Sequence, residues 1–462
     1  MRSEYDLIVI GAGPAGQAAA ISGCQNSLSV LVLDELAGPG GQIYRSVESA
    51  HPDDSRFLGP DYLYGKSLAK AFRQSEADYI THAAVWEISR DSTLCYSHNG
   101  VSKQVAGKRI LIASGAMERP VAVPGWTLPG VMGAGAADVL FKTAGIVPSG
   151  RVVFCGGGPL LLLVASHFVN MGVNVAAVLE TVRPVQYLQA LKHLPEALKA
   201  ADYLFKGLKM RMALIRSHVP TFQNVRQVRI QGDEQVRQIT FNSLGRNRQV
   251  SADTLLLHDG VIPHTQLTRQ LECDHLWNPI QRYWHPRIDQ WGESSVTGIF
   301  AAGDTACVHG AIIAEIQGRL AALEIACQLG KLSRKDRDRT AAPLRRKLKR
   351  EMSVRPFLEH LFQPNHEFLA PSNGQTLVCR CEEITADQIR HAVSSGCRNT
   401  NQVKAQTRCG MGPCQGRMCS LTTAEIIAHE RQADAGTVGA YRVRPPVKPI
   451  PLNELADLEM VT

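Results

Sequence analysis

Six of the twelve cysteines in this 462-residue chain lie between positions 379 and 419. Four of them form two tight pairs, C-x-C and C-x4-C, with 32 residues between the pairs: Cys379 and Cys381, then Cys414 and Cys419. Four thiolates supplied by two short loops are the ligand set of a [2Fe-2S] cluster. Between the pairs, TADQIRHAVSSG (385–396) predicts a short helix with Thr385 as N-cap and Gln388 completing a capping box. The sequence therefore predicts a compact cluster-binding module.

Two alternatives to an iron–sulfur cluster stay open. Four cysteine thiolates also form structural zinc sites, although zinc sites favour two to four residues between paired cysteines. The thiols could also be buried without any metal. Cys409 lies where the second motif needs no ligand, and we interpret it as an extra thiol that could substitute for Cys414. No C-x-x-C pair occurs and residues 40–45 contain no cysteine, which argues against disulfide-reductase chemistry.

A glycine motif near the start of the chain predicts a second kind of chemistry. Gly11, Gly13 and Gly16 follow the apolar run YDLIVI and precede a helix-compatible stretch. Asp34 ends the next apolar run, 18 residues beyond Gly16. In such a unit the glycines allow a tight turn, a close approach to a pyrophosphate and close helix packing, while the acidic residue accepts from a ribose hydroxyl. The sequence therefore predicts a dinucleotide site here.

A second strand–glycine–helix unit begins with RVVFCGGGP about 145 residues later. Gly156 and Gly158 are present, but Leu161 occupies the position of the third glycine, and Glu180 follows 19 residues on. A leucine there is expected to hold the helix off the strand and to distort the phosphate site, so NAD(P) binding is not expected. A ribose contact from Glu180 and a structural domain without a ligand both stay open.

Three further segments lie in the order and spacing of the two-dinucleotide-domain flavoproteins, which they resemble: GPGGQIY (38–44), ILIASGA (110–116) and GIFAAGDT (298–305). The resemblance implies that the first unit binds FAD. It extends the predicted FAD contacts to six further residues: Gly41, Gln42, Val85, Gly115, Gly303 and Asp304. Asp304 would contact the ribityl or pyrophosphate part, and the following helix would direct its positive end toward the flavin. As an isolated aspartate, Asp304 could equally cap that helix.

The elements that must position these residues predict an α/β fold. It is the two-dinucleotide-binding-domain flavoprotein fold (glutathione/thioredoxin-reductase-like), followed by a small [2Fe-2S] domain similar to the bacterioferritin-associated ferredoxin. The predicted domains are an FAD-binding domain (1–118 and 285–330), a second dinucleotide-binding-like domain (119–284), a basic linker (331–375), the cluster domain (376–432) and a Pro-rich tail (433–462).

Composition and charge narrow the location and the partners. Hydrophobic residues (44%) and charged residues (20%) are near globular averages, and no apolar run approaches the roughly 20 residues of a membrane span. The net charge of +8 is concentrated in residues 331–350, which hold ten Lys and Arg against Asp336 and Asp338. Such a run is usually a solvated helix or linker, while an anionic membrane surface or an acidic partner stays open. Nucleic acid is not expected. A cytoplasmic location is expected, because no signal peptide precedes the first strand.

Three runs identify a narrower resemblance: ASGAMERPVAVPGWTLPGVMGAGA (113–136), GGGPLLLLVA (156–165) and YRVRPPVKPIPL (441–452). Together they resemble the large flavoprotein subunit of opine oxidases, such as octopine and nopaline oxidase. Dye-linked D-hydroxyproline and proline dehydrogenases and hydrogen cyanide synthase have related subunits. In this family Leu161 is a shared trait rather than a local defect.

The resemblance implies a heteromeric enzyme that oxidises the C–N bond of an opine or of an imino or amino acid. A smaller FAD subunit of the amine-oxidase type would remove the hydride, with FMN at the subunit interface where that cofactor is present. A small third subunit is a further expectation. Electrons would reach a membrane quinone or cytochrome, with peripheral membrane contact open, and the second nucleotide site would hold ATP. A self-contained NAD(P)H-dependent reductase and a non-catalytic sensor remain alternatives, and no residue is nominated as a substrate base.

Overall fold

The computed structural model describes residues 4–50, 55–456 and 458. The first three residues of the predicted FAD domain and most of the last six of the predicted tail lie outside these described residues. The strands are, in chain order, β1 (Glu4–Ile10), β2 (Val30–Leu33), β3 (Asp78–Ile80), β4 (Ala83–Ile88), β5 (Thr93–His98), β6 (Val101–Ile112), β7 (Ala116–Glu118), β8 (Val131–Gly133), β9 (Val152–Gly156), β10 (Val175–Glu180), β11 (Thr221–Phe222), β12 (Val225–Gln231), β13 (Gln238–Ser243), β14 (Arg246–Ser251), β15 (Thr254–His258), β16 (Val261–Pro263), β17 (His275–Asn278), β18 (Tyr283–Pro286), β19 (Ile299–Ala301), β20 (Leu377–Cys379) and β21 (Ile384–Thr385).

The helices connect these strands and form most of the C-terminal third. They are, in chain order, α1 (Pro14–Gln25), α2 (Ser55–Leu58), α3 (Pro60–Arg73), α4 (Ala134–Ala144), α5 (Pro159–Asn170), α6 (Pro184–Leu191), α7 (Leu194–Ala197), α8 (Ala201–Arg216), α9 (Gln266–Gln270), α10 (Ala311–Gln328), α11 (Arg334–Met352), α12 (Arg355–Leu361), α13 (His366–Leu369), α14 (Ala386–Ser394), α15 (Thr400–Thr407), α16 (Ser420–Glu430), α17 (Ala435–Val438) and α18 (Leu452–Ala456).

Two sheets with parallel centres carry the nucleotide-type units. The first has the order β3-β2-β1-β6-β5-β4, with β19 also paired to β6, and the second has the order β11-β10-β9-β15-β8. In the first, β1 runs parallel to β2, β6 and β19 lie parallel at its other side, and β4 to β6 form an antiparallel meander. This arrangement confirms the predicted two-dinucleotide-binding fold.

Small residues allow the helices of the first unit to pack closely. A Cβ added to Gly318 of α10 would lie 2.0 Å from the carbonyl oxygen of Ala15 in α1. The buried strand residues of β1 and β2 pack beneath these helices in one apolar core with Phe300. The close contact of α1 with α10 brings the first glycine turn beside the segment that follows β19.

The basic segment is helical rather than extended. Ser333 caps α11 by accepting from the backbone N–H of Asp336, and α11 buries Ala341 against α10 and Trp291. Two guanidiniums stack on the Trp291 ring, those of Arg337 at 4.3 Å and Arg345 at 4.2 Å. The region predicted from sequence as a linker therefore holds α11, α12 and α13. The domain bounds themselves stay predictions.

The cysteine-bearing module follows as four short helices and the β20–β21 pair. The capping box predicted at its first helix is present, because the Thr385 side chain accepts from the Gln388 N–H and the Gln388 side chain accepts from the Thr385 N–H. The tail beyond this module is mostly extended and packs Val447 into the core of the first sheet, with its N–H donating to the Trp86 carbonyl. Among the described residues, no helix combines the length and apolarity that crossing a bilayer requires.

Candidate functional site

The predicted FAD residues lie at one edge of the first sheet. Ile10 at the end of β1 pairs with Ile112 of β6, and Ile112 pairs with Ala301 of β19. Because these strands are parallel, the segments that follow them emerge side by side. The structure therefore brings the glycine turn at 11–16 together with Gly115 and the 303–304 segment.

The first glycine turn leaves no room for side chains at two of its three glycines. A Cβ on Gly16 would lie 1.8 Å from the carbonyl oxygen of Gly11, and a Cβ on Gly11 would lie 2.5 Å from that of Ala113. By contrast, a Cβ on Gly13 would meet a single atom, the Cα of Gly41, at 3.9 Å. No side chain caps the N-terminus of α1, so its first N–H groups are available to an anion.

Asp34 lies against this turn at the end of β2. Its carboxylate accepts from the backbone N–H of Ala12, inside the turn, and from that of Leu36 at 2.7 Å. Burial raises the pKa of Asp34, and the two backbone hydrogen bonds oppose that rise. The acidic side chain is thus fixed at the edge of the turn, where the sequence predicts a ribose contact.

The other predicted FAD residues occupy different settings. Gly41 packs on the glycine turn in the left-handed region (φ +61°), whereas Gln42 is exposed. Gly115 donates its N–H to the Thr305 hydroxyl at 2.7 Å. Val85 is a buried core residue of β4. Their roles as flavin contacts stay predictions.

Gly303 and Asp304 form the turn between β19 and α10. A Cβ on Gly303 would lie 2.9 Å from the Cβ of Ala15, so this glycine allows the turn to touch α1. Asp304 Oδ1 accepts from the backbone N–H groups of His309 and Gly310 at 3.1 and 3.3 Å, just before α10 begins. Burial raises the pKa of Asp304. The carboxylate therefore shapes the N-terminal entry of α10, and among the described residues its Oδ2 has no hydrogen-bond donor.

The second glycine turn differs at the position that the sequence singled out. Leu161 is buried, 1% exposed, in a core with Phe154 and Leu256. The corresponding position in the first unit tolerates no side chain at all. Gly156 and Gly158 both have positive φ, and Gly158 precedes α5 as Gly13 precedes α1.

Polar side chains also crowd the second turn. A Cβ on Gly158 would lie 3.0 Å from His258 Nε2, and the other ring nitrogen of His258 is 2.6 Å from a Glu118 carboxylate oxygen. Glu118 also accepts from the N–H of Gly135 in the first turn of α4. Glu180, the predicted ribose contact, forms a salt bridge with Arg211 at 2.9 Å. Sequence reasoning missed His258 and Glu118, because they lie far from the glycines in the chain.

The cysteine module gathers three buried thiols in one place. The Sγ atoms of Cys379, Cys409 and Cys419 all lie within 4.8 Å of one another. Hydrogen bonds from the thiols of Cys409 and Cys419 lower the pKa of Cys379 to about 2, and the Gly410 and Glu382 N–H groups act in the same direction. An electron-rich sulfur is therefore stabilised at Cys379, as a metal ligand requires.

The remaining two cysteines form an exposed pair beside this group. Cys381 follows Cys379 by two residues, and the backbone N–H and the thiol of Cys414 hydrogen-bond to its sulfur. A Cβ on Gly412 would lie 2.2 Å from the Cβ of Cys381, so the glycine of the GMG turn lets the two loops approach. The structure thus brings all four predicted ligands together. Cys409 lies among them, although the sequence motif gave it no role.

Residues from outside the cysteine motifs enclose the buried thiols. The Tyr441 hydroxyl donates to Cys409 Sγ at 3.4 Å, and the Thr423 hydroxyl lies at the same distance from that sulfur. Trp284 of β18 belongs to the same buried core as the three thiols. The run YRVRPP carries part of the family resemblance, and its tyrosine is the residue that covers the thiols.

The β17–β18 hairpin connects the two candidate sites. The Tyr283 hydroxyl is 3.3 Å from Cys307 Sγ, three residues beyond Asp304. Trp284, the next residue, packs among the cysteines, and Arg282 forms a salt bridge with Glu425 of α16 at 2.6 Å. A continuous, largely buried path of side chains therefore runs from the predicted flavin edge to the thiols.

Comparisons with known proteins agree with this geometry. The sequence profile of the pyridine nucleotide-disulphide oxidoreductase family matches residues 5–330, and this domain implies FAD. The profile of the sarcosine oxidase A3 domain matches residues 373–458, which include the cysteine module. The predicted ferredoxin-like character of that module stays a prediction.

Individual relatives extend over nearly the whole chain. The A-type polypeptide of the opine oxidase of Rhizobium meliloti is 42% identical over 99% of this chain and 88% of its own length. The HcnB component of the hydrogen cyanide synthase of Pseudomonas aeruginosa is 31% identical and covers 98% of both chains. The crystal structure of L-proline dehydrogenase from P. horikoshii superposes with a TM-score of 0.71 over 98% of this chain and 79% of that one. Its 16% identity supports the fold alone. The chain therefore belongs to the family of A-type opine oxidase polypeptides, whose members are flavoprotein oxidoreductases built on the pyridine nucleotide-disulphide oxidoreductase fold.

Proposed function

We propose that this chain is the FAD- and [2Fe-2S]-containing electron-transfer subunit of a heteromeric enzyme that oxidises the C–N bond of an opine or of an imino or amino acid. The observation that carries the proposal is the hairpin that joins the predicted flavin edge to the cysteine group. FAD accepts electrons in pairs and a [2Fe-2S] cluster passes them singly, so their combination in one chain supplies a converter.

The residues around the first turn fit FAD. The uncapped N-terminus of α1 and the open side of Gly13 suit a pyrophosphate, and Asp34 is held where a ribose hydroxyl would lie. The 303–304 segment and the N-terminus of α10 suit the far end of the same cofactor. The tight backbone contacts at Gly11 and Gly16 explain why these positions are glycine.

The cysteine group fits an iron–sulfur cluster better than isolated buried thiols. We assign Cys379, Cys381, Cys414 and Cys419 as the ligands. Backbone N–H groups are directed at both sulfurs of the C-x-C pair, an arrangement that stabilises thiolates and sets cluster potentials. Cys409 is assigned as a neighbour that hydrogen-bonds to the Cys379 sulfur. Zinc remains the rival metal, because it binds the same donor atoms.

The partners follow from the relatives, which are named as subunits of opine oxidase and hydrogen cyanide synthase. We propose a smaller FAD subunit of the amine-oxidase type as the site of substrate oxidation, with FMN at the interface and a small third subunit. A quinone or a cytochrome is the proposed acceptor. Glycine and D-hydroxyproline are the alternatives to an opine, and ATP is the proposed occupant of the second nucleotide unit.

Replacement of single cysteines tests the ligand assignment. Cys419→Ser is expected to abolish the [2Fe-2S] absorption and electron paramagnetic resonance (EPR) signals, because one of four ligands is lost from a buried position. Cys409→Ala is expected to keep both signals with a shifted reduction potential. Cys397→Ser is the control, since this half-exposed thiol pairs with Gln406 instead. A full cluster in Cys414→Ser together with its loss in Cys409→Ala would move the ligand to Cys409.

The activity is tested with the co-purified complex under anaerobic conditions. Octopine is expected to bleach the flavin and then to reduce the cluster, whereas the isolated chain is expected not to respond. Reduction of the isolated chain by octopine would place substrate oxidation in this chain and contradict the division of labour. Zinc instead of iron in metal analysis would contradict the cluster.

A further inference from the structure

An exposed apolar surface covers one side of the second domain. Nine of the nineteen large hydrophobic residues that are exposed in the described part of the chain lie within residues 185–215. On α8 they form a stripe: Phe205 (69% exposed), Leu208 (55%), Met212 (39%) and Ile215 (72%). At about 100° per residue, these four side chains lie within about 80° of the helix circumference. Well-folded chains rarely leave such a stripe uncovered.

Helix α6 extends the stripe into a broader face. Val185, Leu188 and Leu191 are 48%, 66% and 53% exposed. Arg211 connects the two helices, because its guanidinium reaches both Glu180 and the Tyr187 hydroxyl. We define the helical face as the exposed residues of α6 to α8.

Cations border this apolar face. Residues 183–216 contain seven Lys and Arg but two acidic residues, and residues 331–350 contain ten against two. Because the whole chain carries a net charge of +8, the rest of it is net negative. Lys209 and Arg216 are exposed on α8 directly beside the stripe, and no carboxylate among the described residues forms a salt bridge with either.

The basic helix α11 meets the start of α8. Arg350 near its end forms a salt bridge with Asp202 at 2.7 Å, and the neighbouring Glu351 accepts from the Tyr203 hydroxyl at 2.7 Å. Three further cations near this end of α11 are exposed without a salt bridge among the described residues: Arg346, Lys347 and Lys349. The positive end of α11 therefore adjoins the cationic side of the apolar stripe.

The chemistry of this face favours a lipid surface over a protein. Protein interfaces are depleted in lysine, whereas helices that lie in a membrane interface combine Leu and Phe on one face with flanking Lys and Arg. Anionic headgroups attract such cations, and the flexible Lys and Arg stems allow the apolar side chains to enter the acyl region. We propose that the helical face and the C-terminal half of α11 dock this chain on an anionic phospholipid bilayer. The proposal is independent of the substrate and of the cofactors.

Vesicle sedimentation with the full chain tests the proposal. Vesicles of phosphatidylcholine with about 30% phosphatidylglycerol are expected to bind the chain, and pure phosphatidylcholine vesicles are not. The triple change Arg346→Ser, Lys347→Ser and Lys349→Ser is expected to lower the partition coefficient on the order of a hundred-fold. The triple change Phe205→Ser, Leu208→Ser and Ile215→Ser is expected to lower it at least about tenfold.

A matched control removes exposed apolar residues elsewhere. Leu244→Ser with Leu276→Ser, at positions 68% and 40% exposed, is expected to bind vesicles like the unmodified chain. Bound flavin in each variant reports that the fold is retained. Unchanged binding of the stripe variant would overturn the proposal. So would hydrogen exchange across 201–216 that slows with a partner protein or a second copy but not with vesicles, because a protein would then cover the face.

Discussion

The two glycine turns begin alike and diverge at one position, and the divergence shows what turns a strand–turn–helix unit into a dinucleotide site. At Gly16 a side chain would overlap the carbonyl of Gly11, so α1 lies directly on its own turn. At the equivalent position, Leu161 is buried in the core and fills the space between α5 and the sheet. The third glycine therefore decides whether the helix terminus reaches the phosphates.

The surroundings of the two turns differ as much as the turns themselves. Among the described residues, no side chain lies against the open side of Gly13, whereas His258 lies against Gly158 and is hydrogen-bonded to Glu118. The acidic residue at the end of the second strand follows the same trend. Asp34 accepts from backbone groups of its own turn, while Glu180 is neutralised by Arg211. The second unit preserves the scaffold and uses its polar groups internally.

The largest expected effect comes from giving the first turn the residue of the second. Gly16→Leu is expected to abolish FAD binding and to destabilise the fold by about 3 kcal/mol or more, because the added carbons overlap backbone atoms. Flavin content after purification and urea unfolding measure the two effects. Gly207→Leu is the control, since a Cβ there meets no atom within 4 Å. Full flavin content in Gly16→Leu would show that the close helix contact is not required.

The reverse change tests whether the leucine alone prevents nucleotide binding. Leu161→Gly is expected to cost about 3–4 kcal/mol of unfolding free energy, because it leaves a cavity in a buried core. Flavin content is expected to stay unchanged, and NADH is expected not to bleach the flavin, since His258 still lies against Gly158.

Leu163→Gly, at a half-buried position of the same helix, controls for the helix-weakening effect of glycine. Rapid flavin bleaching by NADH in Leu161→Gly would mean that this one side chain separates the two turns functionally. Stability is read from urea unfolding and bleaching from stopped-flow absorbance.

A smaller, pH-dependent effect is expected beside the second turn. Burial raises the pKa of Asp259 to about 7, although the Arg119 guanidinium and the Asn365 N–H oppose the rise. Between about pH 4 and 7 the folded chain keeps a proton that the unfolded chain has lost, so stability falls as pH rises through this window. Asp259→Asn removes that dependence and is expected to gain up to about 3 kcal/mol relative to the unmodified chain by pH 7.

The exposed Asp253 provides the opposite case in the same domain. Its hydrogen bonds with Arg151 lower the pKa of Asp253 to about 2, so its contribution is complete above pH 4 and is lost as pH falls toward 2. Asp253→Asn is therefore expected to show no pH dependence between pH 4 and 7. A flat difference for Asp259→Asn across that window would contradict the buried, protonated state of Asp259. Urea unfolding as a function of pH measures both.

Local sequence patterns were sufficient for the parts of this molecule that depend on neighbouring residues. The glycine turns, the replacement at Leu161 and the capping box at Thr385 were all predictable, because each is a contact within a few residues. The pairing of the C-x-C and C-x4-C motifs was predictable from their spacing.

Contacts between distant segments could not be predicted from one sequence. The motif spacing makes Cys409 a spare thiol, but the fold places its sulfur with those of Cys379 and Cys419. Tyr441 reaches that group from the tail, and Trp284 reaches it from the other side of the molecule. The basic run predicts a solvated helix or linker, and the Trp291 ring that holds it as helix α11 lies more than 40 residues before it.

The measurement that tests the central claim most directly is an anaerobic absorption and EPR spectrum of the purified chain, before and after NADH and then dithionite. We expect flavin absorption from the first nucleotide site, no response to NADH, and a [2Fe-2S] signal after dithionite. Flavin bleaching by NADH alone would make the second turn a working nucleotide site. Absence of either chromophore from the chain purified with its partner would contradict the proposed electron-transfer role.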